Sequence, residues 1–201
     1  MSLEKIAGEI RSCKRCPLHA SRTNAVPGEG NPKARVVFVG EAPGRNEDLQ
    51  GRPFVGAAGK LLTELLASIG LRREDVFITN VVKCRPPNNR DPRPEEIEAC
   101  LPFLKRQLRV IDPDVIVALG RHSALTLLRL AGREEERSIM RIRGKVFEVE
   151  LFGRKRSLMP TLHPAAALYN PKLKPLLEED FKRLKELLGE DNEGKGLEAW
   201  F

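Results

Sequence analysis

Three short runs of apolar, mostly β-branched residues constrain the fold of this chain more than any other feature. They cover residues 35–39, 76–82 and 115–119, and they are separated by segments such as 61–69 with apolar side chains at helical spacing. Apolar strands that alternate with helices form parallel sheets covered on both faces. The sequence therefore predicts an α/β fold in which a sheet lies between two layers of helices.

The remaining segments complete these layers. Residues 3–12 have the spacing of an amphipathic helix, and a further helix begins at Pro94 with two acidic residues in its first turn. Residues 145–159 have the pattern of a hairpin, and residues 173–188 that of a charged last helix. Residues 19–34 are polar and rich in glycine and proline, which predicts a loop.

Three polar segments directly follow predicted strands. They are residues 40–44, Asn80, and His163 with Pro164. In parallel α/β sheets, ligands bind outside the carboxyl ends of the strands. We therefore expect these segments to form one shared site.

Length and charge narrow the class of protein. The chain has 201 residues, a formal net charge of +7 and 31% charged residues. This length favours one domain, which we place at residues 1–188, with a flexible tail at residues 189–201. A basic surface favours nucleic acid as a partner, and abundant charge is typical of thermophile proteins. No apolar run is long enough for a membrane span or a signal peptide, so we expect an intracellular protein without membrane contact. The ordinary size and the flexible tail favour a monomer.

Four cysteines form the clearest metal-binding pattern. Cys13 and Cys16 are separated by two residues, and fifteen residues separate Cys84 from Cys100. Four thiolates can hold a zinc ion or a 4Fe–4S cluster, and the spacing alone does not choose between them. Basic sequence neighbours, among them Arg85, are expected to favour thiolates. Buried thiols without a metal are the alternative.

Four segments together closely resemble the family 4 uracil-DNA glycosylases. These segments are residues 40–44, 51–56, 79–87 and 163–165, and the resemblance covers about residues 3–188. It implies a three-layer sandwich with a central four-stranded parallel sheet, and a 4Fe–4S cluster on the four cysteines. It also implies monofunctional removal of uracil from DNA in base-excision repair, in a family found mainly in thermophiles.

The resemblance assigns roles that agree with the chemistry of the residues. An extruded base needs a flat stacking partner, and Phe54 matches the stacking phenylalanine of the family. Asn80 offers both a donor and an acceptor, which suit N3–H and O4 of uracil. His163 is expected to stabilise negative charge on uracil O2. Each could instead be an ordinary core, capping or loop residue.

The first motif contributes further candidates. Glu41 is expected to stabilise the sugar cation or to position water, and backbone groups of Ala42 and Pro43 are expected to contact uracil. Glu47 resembles the residue that blocks the 5-methyl group of thymine. Related families carry an acidic or amide side chain at the position of Ala42, and its absence leaves the water-activating group open.

Other residues are candidates for contact with DNA. Leu168 is either a wedge that enters the gap left by the flipped nucleotide or a buried residue at a helix start. Basic residues are expected to contact phosphates. These are Arg85, Arg90, Arg93 and Lys172.

The end of the chain resembles the motif by which archaeal repair enzymes bind a PCNA-type sliding clamp. Its apolar residues are Leu197, Trp200 and Phe201, and Gly194 stands where the motif usually has glutamine. Packing of this tail onto the body of the same chain is the alternative.

Two other functions remain as alternatives. One is a glycosylase of the broader family 5 type, although that family has leucine at the position of Glu41. The other is a zinc-stabilised nucleic-acid-binding module without catalysis.

Overall fold

In the computed structural model, residues 1–133 and 138–190 are described, and they form one sheet between two layers of helices. The strands are β1 (Glu29–Gly30), β2 (Val36–Gly40), β3 (Phe77–Asn80), β4 (Val115–Leu119), β5 (Phe147–Leu151) and β6 (Arg154–Thr161). The helices are α1 (Leu3–Arg11), α2 (Leu18–Ser21), α3 (Arg45–Gln50), α4 (Ala57–Ser68), α5 (Pro94–Ile111), α6 (Arg121–Leu130), α7 (Ile139–Ile142), α8 (Pro164–Tyr169) and α9 (Lys174–Glu190).

The sheet has a parallel centre and antiparallel edges. Its strand order is β1–β3–β2–β4–β6–β5, in which β3, β2, β4 and β6 are parallel. β1 pairs antiparallel with β3, and β5 pairs antiparallel with β6. The predicted three-layer sandwich and its four parallel strands are therefore confirmed. The sheet has six strands rather than four, because the predicted hairpin adds β5 and a short extended segment adds β1.

Alternating residues of each central strand supply two separate cores. In β2, Val37 and Val39 pack in one core with residues of α1, α5 and α6. Val36 and Phe38 pack in the other core with residues of α4 and α9. Both sides of β2 are apolar, which explains why its sequence shows no polar alternation.

The main differences from the sequence prediction are local. The segment 19–34 was predicted to be a loop, but it contains the end of α2 and the strand β1. The segment after His163 forms the short helix α8, with His163 as its N-cap. Among the described residues, no helix is long and apolar enough to cross a membrane.

Candidate active site

The carboxyl ends of the parallel strands bring the predicted site residues to one edge of the sheet. Gly40 is paired with Asn80, and Leu119 with Thr161, so the segments that follow these strands meet. They surround a cavity with a volume of about 460 Å³, within the usual range for small-ligand pockets. The cavity is lined by all the predicted uracil-binding residues, namely Glu41, Ala42, Pro43, Glu47, Phe54, Asn80 and His163.

The ring of Phe54, the amide of Asn80 and the imidazole of His163 share one region of this cavity. The Phe54 and His163 rings are stacked, with centroids 5.5 Å apart and planes at 27°. A Cβ atom at Gly40 would overlap Asn80 Oδ1 and would lie 2.8 Å from Cζ of Phe54. Gly40 is therefore required for the amide and the ring to approach each other.

The loop that carries Phe54 is held by hydrogen bonds to two charged side chains. Oε1 of Glu47 accepts from the backbone N–H groups of Val55 and Gly56, at 3.0 and 3.1 Å. Arg73 donates to the Phe54 carbonyl at 2.9 Å. Phe54 itself has a φ of 50°, in the left-handed region that is unfavourable for a bulky residue. Glu47 thus has a positioning role that the sequence did not indicate, in addition to lining the cavity.

His163 is a neutral hydrogen-bond donor. Burial lowers its pKa to about 4, so the imidazole is uncharged at neutral pH. Its Nδ1 accepts a hydrogen bond of 3.1 Å from the backbone N–H of Ala165. Because Nδ1 is the acceptor, the single proton of the neutral ring is on Nε2.

The backbone of Asn80 is held at the end of β3, while the polar atoms of its side chain stay available. Asn80 ends β3 and is almost completely buried. Within residues 1–133 and 138–190, every fully buried side-chain N or O atom has a hydrogen-bond partner. The side-chain amide of Asn80 makes no hydrogen bond to these residues, so its polar atoms are not fully buried. The amide is therefore open to the cavity and can both donate to and accept from a ligand.

Glu41 lies beside two residues that were not predicted. Burial raises the pKa of Glu41, His122 partly opposes this rise, and the nearby carboxylate of Asp91 adds to it. Nε2 of His122 is 3.3 Å from Oδ2 of Asp91 and 3.9 Å from Oε2 of Glu41. His122 follows the end of β4 by three residues, so the strand-end argument could have found it.

Comparison with known proteins decides the family. The profile described as the Uracil DNA glycosylase superfamily matches residues 27–187. A type-4 uracil-DNA glycosylase of Archaeoglobus fulgidus is 61% identical over 94% of both chains. The chain belongs to the type-4 uracil-DNA glycosylase family. Type-4 enzymes of Sulfurisphaera tokodaii and Thermotoga maritima are 59% and 49% identical, over 92% of this chain and 84% and 94% of theirs. The family resemblance predicted from the four motif segments is confirmed.

This type-4 family member presents two exposed apolar side chains at the end of α8, the helix that His163 caps. Leu168 is 47% exposed, and the alternative in which it is buried is therefore wrong. Tyr169 is 91% exposed and lies at the mouth of the cavity, although it was not singled out from the sequence. Ala167, which precedes Leu168, packs in the core and connects α8 to it.

The four predicted phosphate contacts differ in their surroundings. Arg93 and Lys172 are exposed. Arg85 donates to Oδ1 of Asn89 at 2.7 Å. Arg90 forms two hydrogen bonds, of 2.7 and 2.8 Å, with the buried carboxylate of Glu96. Arg90 therefore supports the start of α5, whatever contact it also makes with DNA.

The four cysteines of this family member meet on the α1 and α5 side of the sheet. One small cavity is lined by Cys13, Cys16, Cys84 and Cys100, and none of the four forms a disulfide. Convergence from three separate segments is what a four-cysteine metal site requires.

The surroundings of the sulfur atoms correct one expectation. Basic sequence neighbours were expected to favour thiolates, but burial raises the pKa of Cys84 and raises that of Cys100 to about 11. The guanidinium that reaches sulfur is that of Arg22, which donates to Cys84 Sγ at 3.1 Å. The side chain of Arg85 is directed to Asn89 instead. Among the basic neighbours, Lys83 does favour the thiolate of Cys100, but burial has the larger effect on the pKa of that thiol.

Proposed function

We propose that this type-4 family member is a monofunctional glycosylase that hydrolyses the N-glycosidic bond of uracil in DNA. The products are free uracil and an abasic site, as at the start of base-excision repair. The observation that carries the proposal is the convergence of Phe54, Asn80 and His163 on one cavity. A base inside a duplex cannot reach such a cavity, so the nucleotide is extruded into it.

The cavity supports recognition of uracil by stacking, pairing and exclusion. Phe54 supplies a flat surface, and the open amide of Asn80 pairs with O4 and N3–H of uracil. Cytosine would leave this buried amide mispaired, which typically discriminates by roughly 10⁴-fold or more. Glu47 fills the space that the 5-methyl group of thymine would need.

The chemistry follows from the charges that develop as the bond breaks. Nε2–H of His163 donates to uracil O2, and one preorganised donor of this kind is typically worth about 10²–10³ in rate. The carboxylate of Glu41 stabilises the sugar cation or holds the attacking water. No lysine of the described residues lines the cavity, so a Schiff base that would lead to strand cleavage has no candidate there.

The cysteine cavity fits a 4Fe–4S cluster held by Cys13, Cys16, Cys84 and Cys100. N–H groups of Arg22 and Lys83 donate to two of the sulfur atoms, and such bonds are common around iron–sulfur clusters. When bound, the cluster supplies a structural link between the N-terminal segment, the loop after β3 and α5. A preparation with broad absorbance near 400 nm and bound iron supports this assignment, whereas a colourless zinc protein contradicts it.

Contacts with DNA are assigned to the surface around the cavity mouth. Leu168 enters the gap left by the flipped nucleotide, and its exposure supports this role. Arg85, Arg90, Arg93 and Lys172 contact phosphates, so affinity falls steeply with salt.

The proposed contact with a PCNA-type sliding clamp rests on Leu197, Trp200 and Phe201, which lie outside the described residues. The proposed tail was expected to begin at residue 189, but α9 continues through Glu190. The rest of the tail, residues 191–201, and the monomeric state stay predictions. Deletion of residues 194–201 is expected to abolish clamp binding and to leave uracil release unchanged. Clamp affinity that survives the deletion would remove the tail assignment.

The enzyme activity is tested with an oligonucleotide that carries one uracil. Treatment with the protein and then with alkali is expected to cut the strand at uracil, and free uracil is expected in the supernatant. Cutting without alkali would contradict the monofunctional assignment. Intact strand after alkali would contradict the glycosylase assignment and favour the non-catalytic alternative.

A further inference from the structure

Lys83 is a buried lysine that lies between the candidate active site and the cysteine cavity. Its side chain is 1% exposed. Its Nζ atom lies 2.6 Å from the backbone oxygen of Asn80, 2.6 Å from Oγ1 of Thr79 and 2.7 Å from Oε1 of Gln107. A buried lysine is unfavourable unless its donors are satisfied, so this arrangement is specific.

The direction of the three hydrogen bonds can be worked out from their partners. The hydroxyl proton of Thr79 is donated to the backbone oxygen of Pro27, at 3.0 Å. The oxygens of Asn80 and Gln107 carry no proton, so Lys83 donates to all three partners. An ammonium group has three donors, and each is used here. Burial lowers the pKa of Lys83 to about 7, but the three acceptor oxygens around Nζ favour the form that has three donors.

The same residue is connected to the cysteine cavity through its backbone and its partner. The backbone N–H of Lys83 donates to Cys100 Sγ at 3.3 Å, and Cys84 is the next residue. Gln107, which is in α5 with Cys100, also donates to the Pro27 oxygen at 2.7 Å. Lys83 thus joins the end of β3, helix α5 and the cysteine cavity.

We propose that Lys83 is a positioning residue that sets the depth and orientation of Asn80 in the cavity. Its Nζ donates to the backbone carbonyl of Asn80, while the side-chain amide of Asn80 faces the ligand. This role rests on the proposed uracil-DNA glycosylase function, and it extends that function to a residue outside the cavity wall.

A double-mutant cycle with uracil-containing DNA separates positioning from general stabilisation. Lys83→Met removes the three donors and keeps an unbranched side chain that is one atom shorter. We expect it to lower kcat/KM by about 10²-fold, the size of effect seen when a reacting group is misplaced by about 1 Å. In an Asn80→Ala background, Lys83→Met is expected to have little further effect, because its route of action is gone. Equal losses in both backgrounds would overturn the proposal.

Two further variants keep the test decisive if Lys83→Met does not fold. Thr79→Val removes one acceptor of Lys83 with little change in shape, and Thr79→Ser keeps it. We expect Thr79→Val to lower kcat/KM when Asn80 is present, but not in the Asn80→Ala background. Thr79→Ser is expected to keep a kcat/KM close to that of the unsubstituted protein. Lys33→Met, at an exposed lysine, is the matched control. If Thr79→Val lowers kcat/KM by the same factor with Asn80 and with Asn80→Ala, the positioning role is contradicted.

Backbone hydrogen exchange provides a readout that does not depend on catalysis. The N–H groups of Val81 and Val82 donate to the oxygens of Gly40 and Glu41, just beyond Asn80. In Lys83→Met or Thr79→Val these amides are expected to exchange roughly tenfold faster, while β4 is unchanged. Unchanged exchange at both amides would overturn the positioning role. A protein that releases no uracil but shows the faster exchange would refute the glycosylase function and leave the structural link intact.

Discussion

The hydrogen bonds between Glu47 and the Phe54 loop give a prediction with a defined magnitude. Oε1 of Glu47 accepts from the N–H groups of Val55 and Gly56. Hydrogen bonds to a charged group are worth about 1.5–3 kcal/mol each. The two bonds together are worth about 3–6 kcal/mol, and if water recovers half of this in Glu47→Ala, about 1.5–3 kcal/mol of support is lost. Phe54 is also in a left-handed conformation, which costs roughly 1–2 kcal/mol and favours opening of the loop.

A loss of about 1.5–3 kcal/mol corresponds to roughly a 10- to 100-fold fall in kcat/KM, since 1.4 kcal/mol is tenfold. Glu47→Gln keeps the acceptor oxygen and the volume with weaker, uncharged hydrogen bonds, so we expect it to stay within about tenfold of the unsubstituted protein. The assay is release of free base from oligonucleotides that carry uracil or thymine. Glu47→Ala is expected to lose part of its discrimination against thymine, whereas Glu47→Gln retains it. Activity of Glu47→Ala within threefold of the unsubstituted protein, or equal damage by both substitutions, would refute the reasoning.

Three more predictions concern pH and stability. Burial raises the pKa of Glu41, so kcat/KM is expected to fall as the pH drops through a value above 4.5, and Glu41→Gln should abolish this acid limb. The same fall in kcat/KM at low pH in Glu41→Gln would mean that another group causes it. His163 has a pKa of about 4 and is already neutral above pH 5, so it should add no inflection between pH 5 and 8; a limb lost in His163→Gln would contradict this. Arg90→Met leaves the carboxylate of Glu96 without its side-chain partner, and we expect a loss of about 2 kcal/mol, less than the usual 3–5 because Arg90 is partly exposed. That loss lowers the Tm by roughly 4–8 °C, while exposed Lys172→Met, the control, should leave it unchanged; equal Tm values for both variants would contradict the role of Arg90.

The strands and the place of the site could be predicted because both depend on local pattern. β2 and β4 are apolar on both faces, which marks them as central strands of a covered parallel sheet. Once the strands are parallel, Asn80 and the residues after Gly40 must meet at one edge. The edge strand Glu29–Gly30 could not be predicted, because two residues paired to β3 leave no periodic signal.

Contacts between distant segments were the part that sequence reasoning missed. Arg22 reaches Cys84 across 62 positions, and Lys83 turns away from its cysteine neighbour toward Asn80 and Gln107. Such contacts depend on side-chain directions that only the packed fold fixes. The motif resemblance identified the residues around the cavity, but it gave no information on what holds them in place.

Single-turnover release of uracil by Asn80→Ala tests the central claim most directly. Asn31→Ala, at a turn beside the opposite end of β3, is the matched control, and both proteins are first compared for folding and for bound iron. A loss of roughly 10²-fold or more is expected for Asn80→Ala, with the control unchanged, because the amide is the group that pairs with the extruded base. A rate for Asn80→Ala within threefold of the unsubstituted protein would contradict recognition of uracil by Asn80 in this cavity.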